Sequence, residues 1–240
     1  MNRRLSLAAI VACVPVLASC SVVEFFGPRP NAALVELAQT AQADAEEADD
    51  EAYAQLRRSQ SEQLFAEINR VCGVEQDGTV PTTCTIDSQD SYAPTDDPVA
   101  QLIELADDAP EESLPLIVDQ AIALADGTTQ LPEADEDLIA SATSLLESEY
   151  ATIYALDVAE SQGATVDTEV HENIALELAG FIGEGAPLAQ AGYEADWPEG
   201  NAQEFADDLV QSSRDRFEAE AVATEDSQWR AWLIHTAAEI

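Results

Sequence analysis

Two side chains in the C-terminal half of the sequence have the types and placing for acid–base or metal chemistry: Glu149 and His171. Counting back from Leu156 at helical intervals gives Thr152, Glu149, Leu145, Ala142 and Leu138, so Glu149 projects from the stripe that faces a core. A buried carboxylate is costly without a partner. His171 offers one, because it shares the inner face of the following helix with Ile174, Leu178 and Phe181 or Ile182. A carboxylate facing an imidazole can hold a metal ion, pass a proton, or satisfy both buried groups by a hydrogen bond. For a histidine on an apolar face the hydrogen bond is the commoner outcome. Glu177 and Glu220 are the acids that could join the pair.

The other chemistry-bearing residues are the four cysteines. Arg3 and Arg4, the apolar run Leu5–Leu17 and the small residues after it have the layout of a secretory signal over 1–19. Its end, Leu17-Ala18-Ser19-Cys20, is similar to the lipobox of bacterial lipoproteins, in which the cysteine becomes the acylated first residue. Two acyl chains on Cys20 suffice for a stable membrane anchor. Residues 20–30 then form a tether that reaches at most roughly 35 Å, with Phe25 and Phe26 placed to dip into the membrane interface. Cys13 leaves with the signal, so the mature chain keeps Cys72 and Cys84, twelve positions apart across a Gly/Pro-containing loop. Outside the cytoplasm such a pair reads as a disulfide. The alternative, a metal site, lacks neighbouring His residues.

Helices must position all of these groups. A helical region is expected from Asn31 to about Arg70, its buried face passing from Leu34, Leu37, Ala41, Ala45, Ala48 and Ala52 to Leu56, Leu64, Ile68 and Val71. The run Asp44–Glu51 reads as a solvated helix face. The loop 86–97, with Asp87, Asp90, Asp96 and Asp97, lacks the spacing and central Gly of an EF-hand. Two short helices follow at about 98–107 and 111–126, and Gly127–Pro132 is the expected boundary between a helical region over 31–127 and a second domain over 133–240. The second domain should hold four helices, at about 135–162, 167–182, 201–223 and 225–239, with a longer connection over 186–200. Two short turns and one long connection make an antiparallel four-helix bundle.

Composition narrows the function. The chain has 48 Asp+Glu against 9 Lys+Arg, a formal charge of −39, and all nine cations are Arg. Nucleic acid is not an expected partner, because phosphate contacts need a basic face. Without Lys there is no Walker-type phosphate loop, Schiff base or Ser-Lys pair. No nucleophile–base–orienter set can be assembled, and no cofactor is expected.

Glu149-Tyr-Ala-Thr-Ile-Tyr154, the helix bearing His171, the connection Ala191–Pro198 and Trp229-Arg-Ala-Trp-Leu233 together resemble a ferritin-like domain found in lipoproteins of high-GC Gram-positive bacteria. The resemblance covers about 135–240 and implies a ferritin-like four-helix bundle without an established activity. A carboxylate-bridged di-metal centre needs two Glu-x-x-His motifs. Thr168 and Trp232 stand where their Glu residues should be, three before His171 and His235, so the oxidase pattern fails. The expectation is an all-α protein held on the outer face of the cell membrane through Cys20, working as a binding or interaction module toward an envelope partner or cation. The alternatives are a degenerate metal-binding or redox protein, with Glu149 and His171 as remnant ligands, and a small-molecule carrier using the bundle interior.

Overall fold

The computed structural model describes residues 27–75, 77–86, 92–193 and 200–240. The signal, Cys20, Phe25, Phe26, Asp87, Asp90 and Trp197-Pro198 lie outside them. The described residues form eight α-helices and three short 3₁₀ segments, with no strand: α1 Ala32–Glu47, α2 Glu51–Cys72, α3 Pro98–Ala106, α4 Leu114–Ile122, α5 Glu136–Ser161, α6 Glu169–Ile182, α7 Ala202–Ala223 and α8 Ser227–Glu239. None of these helices is long and apolar enough to cross a membrane.

Part of the acidity serves to start helices. Asp50, Asp97, Asp135 and Asp226 each accept the backbone N–H three residues on, at 2.7–2.9 Å, as Asn31 and Asn201 do at 3.0 and 3.3 Å. A side-chain oxygen at this position satisfies one of the N–H groups a helix leaves unpaired. At the far end of α5, Gly163 takes φ +102°, where glycine avoids the Cβ clash, and lets Ala164 N–H close back onto Ala159 O at 3.0 Å.

The helical region expected over 31–70 is made of two helices. Ala48 leaves helical geometry and Asp50 caps α2, so the chain folds back on itself, with Ser61 Oγ donating to Ala38 O at 2.8 Å and Arg57 meeting Asp44. The break re-phases the buried stripe: Ala52 is exposed, and α2 turns Ala54, Arg57, Gln60, Ser61, Leu64, Ile68 and Cys72 inward. Asp44 is likewise not on a solvated face. It is 4 % exposed, its Oδ2 lies 2.9 Å from Arg57 Nε and 2.8 Å from Nη2, and its Oδ1 accepts Thr95 N–H at 2.8 Å. Arg57 Nη1 donates to Gln60 Oε1 at 2.6 Å, and Gln60 and Gln120 exchange side-chain-to-backbone bonds that tie α2 to α4. Cys72 and Cys84 form a disulfide with Cα atoms 6.3 Å apart, closing the loop after α2. Closing a loop of this size contributes about 3 kcal/mol by chain-entropy reasoning.

Helix directions in the C-terminal half follow from which residues meet. Ser141 pairs with Glu220 and Glu149 with Ser213, so α5 and α7 are antiparallel. Phe217 meets Trp232 and Arg230 reaches Ala221 O, so α7 and α8 are antiparallel. Glu177 meets Trp232 and Phe181 meets Trp229, so α6 and α8 are antiparallel as well. The pair α6 and α7 therefore runs parallel, joined by the long connection after Ile182. Trp229 and Trp232, three residues apart on α8, stack at 4.8 Å, and Phe181 stacks on Trp229 at 5.5 Å.

The main apolar core is continuous from Leu34 on α1 to Ala237 on α8 and passes across the 127–132 connection. Arg230, 2 % exposed, reinforces this junction: it donates to the carbonyls of Ala221 and Thr224 and pairs with Asp107 at 2.8 Å. A second, small core of Leu156, Ala159, Ala164 and Ala206 lies at the other end of α5 and α7.

Candidate functional site

Between these two cores lies a polar layer. On α5 the inward residues run Leu145 and Leu146 in the main core, then Glu149 and Thr152, then Leu156 and Ala159 in the small one; on α7 they run Ala206, Ser213, Phe217. Glu149 and Ser213 are 0 % exposed and His171 is 2 % exposed. His171 stands in the first turn of α6, a helix that begins only at Glu169, so its ring can face the middle of both α5 and α7.

The carboxylate of Glu149 is fully engaged. Oε2 lies 2.7 Å from His171 Nδ1, and Oε1 accepts the Ser213 hydroxyl at 2.6 Å. With Ser213 donating to one oxygen and the imidazole on the other, Nδ1 is placed to give its N–H to the carboxylate, and in that tautomer of the neutral ring Nε2 is an acceptor. Nε2 is not among the sealed polar atoms that lack a partner. The ring forms part of the wall of a cavity of about 220 Å³.

That cavity exists because α6 and α8 end short of α5 and α7. Its apolar side is Val166, Val170, Ala206 and Val210, and its rim carries Asp167 and Asp207. The rim is braced: Gln203 on α7 accepts Thr165 N–H at 2.9 Å, donates to Thr165 O at 3.3 Å, and also donates to Asp207 Oδ1 at 2.9 Å. Asp167 Oδ1 is held by Glu169 N–H at 3.0 Å. The α5–α6 connection is thereby fixed to the start of α7.

The two residues singled out from the sequence are thus in direct contact, and the two acids considered as additions to them are elsewhere. Glu177 accepts the indole N–H of Trp232 at 3.2 Å. Glu220 accepts from Ser141, which itself accepts from Trp229 Nε1 at 3.2 Å. Glu177 satisfies the polar tip of Trp232 directly, Glu220 supports that of Trp229 through Ser141, and neither is bonded to Glu149. His235 Nδ1 lies 3.0 Å from Gly127 O, at the connection between the halves. Sequence reasoning missed Ser213, although its signal was present: it lies three residues after Val210 and four before Phe217, a second polar interruption on an inward stripe.

As chemistry, the arrangement supplies an oriented imidazole beside a small, partly apolar space. Among the described residues, no group of three or more His, Cys, Asp or Glu side chains is placed to hold a metal ion. Comparisons with protein-family models, curated proteins and solved structures found no match.

Proposed function

We propose that this chain is a lipid-anchored binding module of the cell envelope, whose C-terminal helices α5–α8 form a ferritin-like antiparallel bundle holding a ligand site at His171. The observation that carries the binding reading is the imidazole of His171, oriented by Glu149 and Ser213 and set in the wall of a cavity. A group used only for packing has no need of an open space beside it; one that receives a ligand does. The engagement of both Glu149 oxygens argues against a remnant metal site, since a ligating carboxylate needs an oxygen directed at the ion.

The bundle reading is supported by the helix directions, α5 and α8 one way and α6 and α7 the other, with the long connection falling between α6 and α7. This is the order of a ferritin-like fold with one long crossover. Anchoring is supported by the lipobox ending in Cys20 and by a short Gly/Pro-rich tether behind it. Expression of the full chain followed by membrane fractionation tests the anchor. Cys20→Ala should move the protein from the membrane to the soluble fraction, and a mutant retained on membranes after a high-salt wash would refute it.

A further inference from the structure

We propose that the cavity beside His171 is a binding site for a small organic cation, an alkylammonium group carrying a short apolar chain. The inference deepens the binding reading above and is independent of the lipid anchor, so ligand titration and membrane fractionation can fail separately.

The charged groups left unused around this cavity are carboxylates, and the one uncommitted side-chain donor on its lining is the exposed hydroxyl of Thr165. With Nδ1–H of His171 given to Glu149, the neutral ring presents a lone pair at Nε2. Asp167 and Asp207 each have Oδ1 held by a neighbour, with Oδ2 outside those bonds. Gln203, the one amide on the rim, already has both its oxygen and its nitrogen engaged. An anion would meet two carboxylates at the rim and a buried third behind the imidazole. A neutral alcohol could donate only one hydrogen bond. An ammonium group brings three donors and the charge that complements the rim.

Size and lining set the rest of the ligand. At about 220 Å³ the cavity is smaller than the roughly 300–1,000 Å³ of pockets for drug-sized molecules. A short aliphatic chain suits Val166, Val170, Ala206 and Val210, which offer a surface with no polar atoms except backbone. His171 alone among the polar lining residues is buried, so it fixes the depth of the ammonium group while the rim acids provide attraction.

The chain has two histidines, His171 and His235, so ¹⁵N resonances of the imidazoles report on the site with an internal control. The test titrates the full chain with butylammonium chloride at about 0.15 M ionic strength, where the screening length is about 8 Å, and repeats it with butyrate and with potassium chloride. Butylammonium should shift His171 Nε2 saturably and leave His235 unmoved. Asp207→Asn should weaken binding by about threefold, the range of an exposed ion pair, and Val210→Trp, which fills the cavity and leaves Glu149, His171 and Ser213 themselves unchanged, should abolish it while far-UV CD is unchanged. Equal shifts from potassium would mean diffuse attraction to the acidic surface and would overturn the proposal. So would a response to butyrate as strong as to butylammonium, no saturable shift, or unaltered binding by Val210→Trp.

Discussion

Replacing Glu149 by leucine removes the acceptor for two buried donors while keeping the side-chain volume close. An orphaned buried donor costs about 1–3 kcal/mol. The two orphans are not equal. Ser213 sits on a helix, and its hydroxyl can rotate toward the carbonyl four residues back, so its share falls toward the lower bound. His171 has no such escape: its ring is clasped between α5 and α7 at 2 % exposure, and moving the proton to Nε2 leaves Nδ1 facing leucine. The expected loss for Glu149→Leu is therefore about 2–4 kcal/mol, a sizeable part of the roughly 5–15 kcal/mol that holds a domain together. Urea unfolding followed by far-UV CD measures it as a drop in midpoint at constant slope. Adding His171→Leu and Ser213→Ala to the same chain should recover most of the loss, because an apolar replacement of a whole buried polar set is close to neutral. A Glu149→Leu protein within about 0.5 kcal/mol of the parent, the usual scale of surface changes, would refute the idea that this layer is a closed hydrogen-bonded unit. Additive single substitutions would refute it too, since residues in one network should couple.

The remaining predictions concern charge. Arg57→Met leaves Asp44 buried without its cation and should cost about 3–5 kcal/mol, with Asp44→Leu in the same chain restoring much of it; similar midpoints for the single and double variants would contradict this. The Arg70 guanidinium and the Ser113 hydroxyl hold Glu67 below the usual carboxylate range, so Glu67 contributes stability that is present above the ordinary carboxylate pKa and lost as pH falls through its lower folded value. Burial and the nearby Asp119 and Asp215 push Glu218 up, which has the opposite sign: its penalty applies above the raised folded pKa and fades as pH falls toward the ordinary range. Glu218→Gln should accordingly raise the melting temperature at neutral pH and lose that advantage in acid, whereas Glu67→Gln should lower it at neutral pH and converge with the parent in acid. A pH-independent effect of either substitution would contradict the assignment.

How much of this could be read from the sequence depended on whether the apolar pattern ran unbroken. In the C-terminal half it was interrupted only by isolated polar residues, and α5 to α8 fall within about two residues of the expected bounds. The one ionisable residue on the α5 stripe led directly to the Glu149–His171 contact. In the N-terminal half the stripe of α2 contains Arg57, Gln60 and Ser61, three residues that a hydrophobicity pattern places outside. Their burial depends on partners from α1 and α4, namely Asp44, the Ala38 carbonyl and Gln120, and such a network has no local signature. The turn at Ala48–Asp50 was hidden for a related reason: in a run of Ala, Asp and Glu, an aspartate that caps a helix looks the same as one on its exposed face. Ser213 interrupts the α7 stripe in the sequence, but its partner became clear once α7 was placed against Glu149.

The two buried acids among the described residues differ in what their partners have left over. Asp44 is met by Arg57, whose Nε and Nη2 go to that carboxylate and whose Nη1 goes to Gln60, so the guanidinium is consumed and the pair is closed to outsiders. Arg230, the other buried cation, is likewise divided among two carbonyls and Asp107. Both bind segments of the fold to one another, as fixed cations can in a molecule with only nine of them. Glu149 has an imidazole in place of a guanidinium. One nitrogen neutralises the demand of the carboxylate, and the other is left at the edge of a cavity where α6 and α8 stop short. A partner chosen only to satisfy a buried carboxylate would serve as well with no second polar atom; histidine, at this place, satisfies the interior and presents an acceptor outward with the same ring.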